Sequence, residues 1–206
     1  MQLLVATSNP HKLEELDAIL GPLGVEVLGL DSVGKEVPEP VEDADTFEGN
    51  ARLKAVGYAA ALGRACLAED SGLEVDGLGG APGVHSARYA GTEGDRATRD
   101  QRNNDKLLAE LAARPDADRS ARFVCTMCLV NAAGEVLFEA RGTYEGVIGD
   151  GPRGENGFGY DPLLFLPDAG CSSAELSPVQ KNARSHRGAA ARKLHAWLQA
   201  NPDALK

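Results

Sequence analysis

The chain has no excess of basic residues. Its 21 lysines and arginines face 31 aspartates and glutamates, giving a formal net charge of -10 and an isoelectric point near 4.9. Binding along a nucleic-acid backbone needs a basic face, so this balance argues against a nucleic-acid partner. It leaves a phosphorylated small molecule open, because a metal ion and a few local cations can hold a triphosphate. No apolar run approaches the roughly 20 residues of a membrane-spanning helix, and Met1 to Ala6 has neither the basic start nor the cleavage site of a secretory leader. Cysteine is scarce: four in 206 residues do not make a disulfide scaffold. Cys125 and Cys128 form a CxxC, but within Arg122 to Val130, which reads as a strand. Three residues apart on a strand means opposite faces, which argues against a redox or zinc pair. A reducing, cytoplasmic setting without a membrane partner is expected. The sequence also lacks GxxxxGK[ST], and has no GxGxxG after its first strand, so neither a P-loop nor a Rossmann dinucleotide site is expected. No repeat, low-complexity segment or long linker appears.

What is present is an ordinary globular composition, 43% hydrophobic and 25% charged, long enough for one core or two small lobes within a single domain spanning 1–206. The centre of interest is Ala68 to Gly91. Ala65-Cys66-Leu67-Ala68 reads as a buried strand, and Glu69-Asp70-Ser71-Gly72 follows where that strand is expected to end. Asp70 there is a candidate metal ligand or general base; the plainer alternative is an acidic turn. Glycines crowd the next twenty residues, as they do where a backbone turns sharply or lets a ligand approach.

Other segments supply further parts. Leu3 to Ala6 reads as a buried strand. Thr7, Ser8, Asn9, Pro10, His11 and Lys12 follow it, with Ser8 or Asn9 able to cap a helix whose first residue is proline. A helix N-terminus offers free N–H groups to an anion, and Lys12 adds a charge; an ordinary capped helix is the competing reading. Val25 to Leu30 reads as a second strand. Glu36 to Asp45, including Glu42 and Asp43, reads as an exposed acidic loop. Thr46 caps a helix over 47–62, on which Asn50 and Lys54 share a face. Gly57 in mid-helix costs about 1 kcal/mol against alanine and points to a close helix contact. Thr98 to Ala113 reads as a helix whose first half, Arg99 to Asp105, is polar all round. Residues 121–131 and 135–146 alternate as a β-hairpin. Gly149 to Pro162 is a second glycine-rich loop, carrying Phe158, Gly159, Tyr160 and Asp161, and Leu163 to Leu166 reads as a short strand. Ser177 opens a capping box for a final helix with Lys181 in its first turn, and Ser185 restarts it before His186 and Arg187.

The alternation of strands, helices and a hairpin favours an α/β fold with a mixed sheet. The polar loops together hold the parts of a magnesium-nucleotide site: carboxylate oxygens at Glu42 and Asp70, a lysine-bearing helix N-terminus, and an aromatic wall at Phe158 or Tyr160 for a base.

Five segments, ATSNPHKLEEL (6–16), TFEGNARLKA (46–55), AEDSGLEVDGLGGAPG (68–83) with SARYAG (86–91), GFGYDPLLF (157–165) and SHRGAAARKL (185–194), resemble in order those of the inosine triphosphatase family, the noncanonical purine triphosphate pyrophosphatases acting on dITP and XTP. The resemblance covers nearly the whole chain. It implies a mixed, twisted central β-sheet with flanking helices, and two lobes enclosing a nucleotide-binding cleft. It implies Mg2+-dependent attack of water on the α-phosphorus of a purine nucleoside triphosphate, and a homodimer. By matching motifs, Thr7 to Lys12 would hold phosphates, with Lys54 assisting. Glu42 and Asp70 would bind the metal, Asp70 also serving as base. Ser71, Phe158 to Asp161, Lys181, His186 and Arg187 would line the nucleotide pocket. Glu69 is left open as a further metal ligand or a support for its neighbours, and which of Glu69 and Asp70 is the base is left open with it. Arg187, or the backbone near His186, would pair with the 6-keto oxygen that distinguishes inosine and xanthosine from adenosine. The competing functions are a nucleotide-binding protein without turnover and a pyrophosphatase for other modified nucleotides. His85, in PGVHSARYAG, is read as a loop residue without a chemical role.

Overall fold

A computed structural model describes residues 1–34 and 37–205. In chain order its elements are β1 (Gln2–Leu4), α1 (Pro10–Leu20), β2 (Glu26–Leu28), α2 (Phe47–Leu62), β3 (Cys66–Val75), α3 (Arg96–Ala112), β4 (Ser120–Val130), β5 (Val136–Ile148), β6 (Leu164–Leu166), β7 (Cys171–Ser172), α4 (Pro178–Arg184) and α5 (His186–Ala200), with short 3-10 turns between them. Among the described residues no helix is long and apolar enough to cross a membrane. Five strands hydrogen-bond in the order β3-β4-β5-β6-β7, with β6 antiparallel to both β5 and β7. Helices accompany this sheet, so the α/β reading holds.

The chain divides into two compact units. The first comprises Met1–Asp70, Cys125–Gly142 and Ser185–Lys206; the second comprises Ser71–Val124 and Thr143–Arg184. In the first unit, α1 carries the chain from β1 to its parallel partner β2, with Leu3 opposite Val27. A parallel bridge then pairs Val5 with Leu67. These strands are apolar without alternation because both faces are covered. Leu3, Val5, Leu67, Cys125 and Met127 pack with Leu16, Leu20, Ala191 and Leu194 on one side. Leu4, Ala6, Cys66, Ala68 and Cys128 pack with Ala51, Ala55 and Tyr58 on the other. Cys125 and Cys128 therefore fall in different clusters, as the strand spacing requires. The second unit has its own core, in which Leu73 and Val75 meet Leu107, Leu111, Phe123, Ile148 and Leu164.

Helix caps account for most boundaries. Thr46 accepts from the N–H of Gly49 and starts α2, which Gly63 ends at φ 63°. Asp95 accepts from Thr98 N–H and starts α3 two residues before the expected Thr98. Ser185 accepts from Gly188 N–H and separates α4 from α5. The loop after β2 has no regular structure over 37–44, and Glu36, expected in it, lies outside the described residues. Gly57 contacts this loop rather than a helix: a Cβ there would come within 2.6 Å of Pro40. The largest departure is in β3. The expected strand end, or acidic turn, at Glu69–Gly72 is instead the middle of a ten-residue strand. Two carboxylates can occupy a buried strand interior because cations neutralise them, as follows.

Candidate active site

The register of the first unit brings two segments together. Val5 is paired with Leu67 in parallel, so the residues after β1 run alongside Glu69 and Asp70. This is the carboxyl end of β1, where α/β sheets bind ligands. Side chains alternate across β3, so Glu69 and Asp70 point to opposite faces, where Arg187 is the main cation for Glu69 and Lys54 for Asp70.

Glu69 is 2% exposed. Arg187 grips it with two hydrogen bonds, Nε to Oε2 and Nη2 to Oε1, both 2.8 Å. Lys12 Nζ lies 3.1 Å from Oε1, and the Cys125 thiol donates to Oε2 at 3.0 Å. The third arm of Arg187, Nη1, is taken by Glu15. Burial alone would raise the pKa of Glu69, but Arg187 and Lys12 outweigh burial and hold it well below the ordinary carboxylate range. Glu69 is thus ionised and already occupied by cations.

Asp70 has a different environment. Asn50 Nδ2 donates to its Oδ2 at 3.3 Å, and Lys54 Nζ lies 3.5 Å from its Oδ1. The same ammonium is 2.8 Å from Glu42 Oε2. Burial raises the pKa of Asp70, and Lys54 and Lys12 only partly offset it. For Lys54, burial acts to lower the pKa, but Asp70 and Glu42 prevail and raise it, keeping the amine charged. One cation therefore sits between two carboxylates. Among the described residues no cluster of three or more histidine, cysteine or carboxylate side chains is arranged around a metal position. Magnesium suits a smaller set, since it binds through one or two carboxylates and keeps waters and phosphate oxygens.

At the start of α1, Asn9 is the cap, its Oδ1 accepting from His11 N–H at 3.1 Å, while Thr7 Oγ1 accepts from Asn9 N–H. Ser8 Oγ is 3.3 Å from Glu39 Oε1. His11 lies outward, 3.7 Å from Glu14. Thr7, Ser8, Asn9 and Pro10 line a cavity of about 610 Å³. Lys12, Lys54, Glu42, Glu69, Asp70 and Arg187 thus form one connected set of charges in the first unit. His186, buried as the first residue of α5, belongs to the same unit.

The remaining candidates lie in the second unit. Asp161, 2% exposed, accepts from Lys181 Nζ at 2.6 Å, Ser173 Oγ at 2.8 Å and Phe158 N–H at 2.9 Å. The Phe158 ring has Lys181 Nζ 5.0 Å from its centroid and the Arg96 guanidinium carbon 4.9 Å away. Tyr160 is buried, and its hydroxyl donates to Ser86 O at 2.8 Å. Burial first, with Tyr89 and Asp100 adding to it, pushes that phenol far above its ordinary pKa. Tyr160 is thus a core residue in contact with Ser86. Ser71 is partly buried on β3.

The sequence model of the Ham1 family matches residues 3–197. The chain belongs to the Ham1 family. It is 52% identical over 198 residues to a dITP/XTP pyrophosphatase of an Exiguobacterium species (strain AT1b), covering 96% of this chain and 97% of that one. It is 44% identical over 197 residues to the dITP/XTP pyrophosphatase of Bacillus subtilis (strain 168), covering 96% of each. A HAM1 protein from Coxiella burnetii superposes with a TM-score of 0.86 at 38% identity, over 97% of this chain and 99% of that one. The Staphylococcus aureus Ham1 protein gives 0.83 at 37% identity, over 98% and 100%. The family resemblance carried by the five segments is borne out.

Within this Ham1-family chain the structure adds residues that the sequence does not assign to the site. Glu15 and Cys125 join the Glu69 group through tertiary contacts that local spacing cannot show. Asn50 was visible only as a residue sharing a face with Lys54. It bridges Asp70 to the acidic loop, because its Oδ1 accepts from Ala44 N–H at 3.0 Å.

Proposed function

We propose that this protein is a Mg2+-dependent nucleoside-triphosphate pyrophosphatase that converts ITP, dITP and XTP to the monophosphate and pyrophosphate, so keeping deaminated purines out of nucleic acids. The observation that carries the reading is the Lys54 ammonium held between Glu42 and Asp70. Two hard oxygen donors already converge on one positive charge, which is the donor set magnesium prefers.

Glu42 and Asp70 would hold the metal. When bound, it would offset the charge of the triphosphate and stabilise the leaving pyrophosphate. Lys12 and the positive end of the α1 dipole would hold phosphate oxygens, with Thr7 to His11 shaping that turn and Lys54 assisting. Asp70 is assigned as the base. Its raised pKa favours taking up a proton, whereas Arg187 and Lys12 hold Glu69 ionised. The new bond joins the water oxygen to the α-phosphorus. The bond that breaks joins the α-phosphorus to the bridging oxygen, which leaves on pyrophosphate while Asp70 takes the water proton. Glu69, held by Arg187 and Lys12, is assigned to positioning those cations and not to metal binding. Arg187 is correspondingly a holder of Glu69 and Glu15 in this state, leaving the 6-keto contact to the backbone near His186. In the second unit, Phe158 would stack on the base, and Asp161 and Lys181 would fix the loop that carries it, with Tyr160 on the same loop and Ser71 in the same unit. The proposal takes residues 1–206 as one functional two-lobed domain, acting as a cytoplasmic homodimer, in line with the family resemblance.

Hydrolysis of ITP in 18O-labelled water tests the bond cleaved. Label is expected in the monophosphate. Label in pyrophosphate or orthophosphate would exclude attack at the α-phosphorus.

A further inference from the structure

The polar half of α3 takes no part in the chemistry above, yet it carries a regular stripe. Arg96, Asp100 and Asn104 are spaced by four residues and so share one face of the helix. That face meets the glycine-rich loop at a single peptide unit on each side of one residue. Asp100 Oδ2 accepts from Gly159 N–H at 3.0 Å, and Asn104 Nδ2 donates to Gly159 O at 3.1 Å. Gly159 has φ 63°, a conformation that side-chain-bearing residues rarely adopt and glycine adopts freely, so the two α3 side chains hold a residue of wide conformational freedom. Immediately before it stands Phe158, with the Arg96 guanidinium carbon 4.9 Å from the ring centroid and Arg96 Nε 3.8 Å from Asp100.

Asn104 also has a feature that stability alone does not explain. It is 8% exposed, and its Oδ1 is buried without a hydrogen-bond partner among the described residues. A buried, unpaired acceptor costs stability. An apolar residue would suit the α3 core better, since Leu107 and Leu111 on the same helix lie in the hydrophobic cluster. Asn104 spends half of its amide on Gly159 and leaves the other half unsatisfied.

We infer that Asp100 and Asn104 are positioning residues that set base affinity by clamping Gly159 and thereby fixing the Phe158 ring. This rests on the reading that Phe158 stacks on the base. Releasing either side of the Gly159 peptide frees the ring to sample other orientations. Binding then includes the entropy of ordering the loop, while the phosphate chemistry in the first unit is untouched.

The test is steady-state kinetics on ITP with Asp100→Ala, Asp100→Asn, Asn104→Leu and Phe158→Ala, alongside thermal melts. Asp100→Ala and Asn104→Leu are expected to raise KM about tenfold, with kcat within about threefold of wild type, as for loss of uniform binding. Asp100→Asn keeps an acceptor for Gly159 N–H and is expected to stay near wild type. Asn104→Leu removes the unpaired acceptor and is expected to melt no lower than wild type. Each clamp change combined with Phe158→Ala is expected to raise KM no further than Phe158→Ala alone. A raised KM in Phe158→Ala with unchanged KM in both clamp variants would overturn the clamp and leave base stacking standing. Unchanged KM in Phe158→Ala would overturn base stacking, and the clamp's role in affinity with it. Loss of folding in both Asp100→Ala and Asn104→Leu would overturn the proposal in favour of a purely structural contact.

Discussion

Arg187 and Glu69, 118 residues apart in the chain, meet through two hydrogen bonds of 2.8 Å with neither side chain open to solvent. Removing one member leaves the other charge buried with fewer partners, Lys12 beside Glu69 or Glu15 beside Arg187. Arg187→Met or Glu69→Gln is expected to cost about 3–5 kcal/mol of unfolding free energy, measured by chemical denaturation, and the double replacement less than the sum of the two. Arg187→Lys is not expected to rescue, because an ammonium cannot reproduce the two-pronged grip.

The neighbouring carboxylates should respond to pH with opposite signs. Glu69 is held below its ordinary value of 4.5, so its contribution to stability is complete above the unfolded pKa and is lost as pH falls through the folded one. Asp70 is raised above its ordinary value of 3.8, so any stability it lends is present below the unfolded pKa and is lost as pH rises through the folded one. Glu69→Gln is therefore expected to flatten the acid limb of stability against pH. Asp70→Asn is expected to raise the melting temperature at neutral pH while lowering kcat by about 10²–10⁴-fold. Melting curves across pH check both signs, and steady-state kinetics the fall in kcat.

Gly142 on β5 packs against the start of α5. A Cβ there would stand 2.1 Å from His186 O and 2.8 Å from Ala190 N, both backbone atoms that cannot swing aside. Gly142→Ala is expected to destabilise by about 1–3 kcal/mol and to lower activity by displacing the turn that presents Arg187. Denaturant midpoints and pyrophosphate release measure the two effects.

The parts legible in the sequence were those set by local chemistry. Thr46 opens α2 because a side-chain cap is a short-range signal, and the hairpin around Gly134 follows from its alternation. Strand geometry alone places Cys125 and Cys128 on opposite faces, as their different clusters show. The sequence ended β3 too early because Glu-Asp-Ser-Gly has turn chemistry locally. What keeps it extended are Lys12, Lys54 and Arg187, contributed by three different helices. For the same reason the roles of Glu69 and Asp70 could not be separated from sequence: they are adjacent and both acidic, and only their partners on opposite faces of β3 distinguish them. The polar half of α3 was visible as a pattern, but its meaning depends on a loop 55 residues away along the chain from Asn104.

The central claim is tested most directly by pyrophosphate release from ITP, dITP, XTP, GTP, ATP and dUTP, each with and without Mg2+. The account expects metal-dependent release of pyrophosphate from the first three, with GTP, ATP and dUTP much slower. Equal rates across the panel, release of orthophosphate in place of pyrophosphate, or tight binding of ITP without turnover would contradict it.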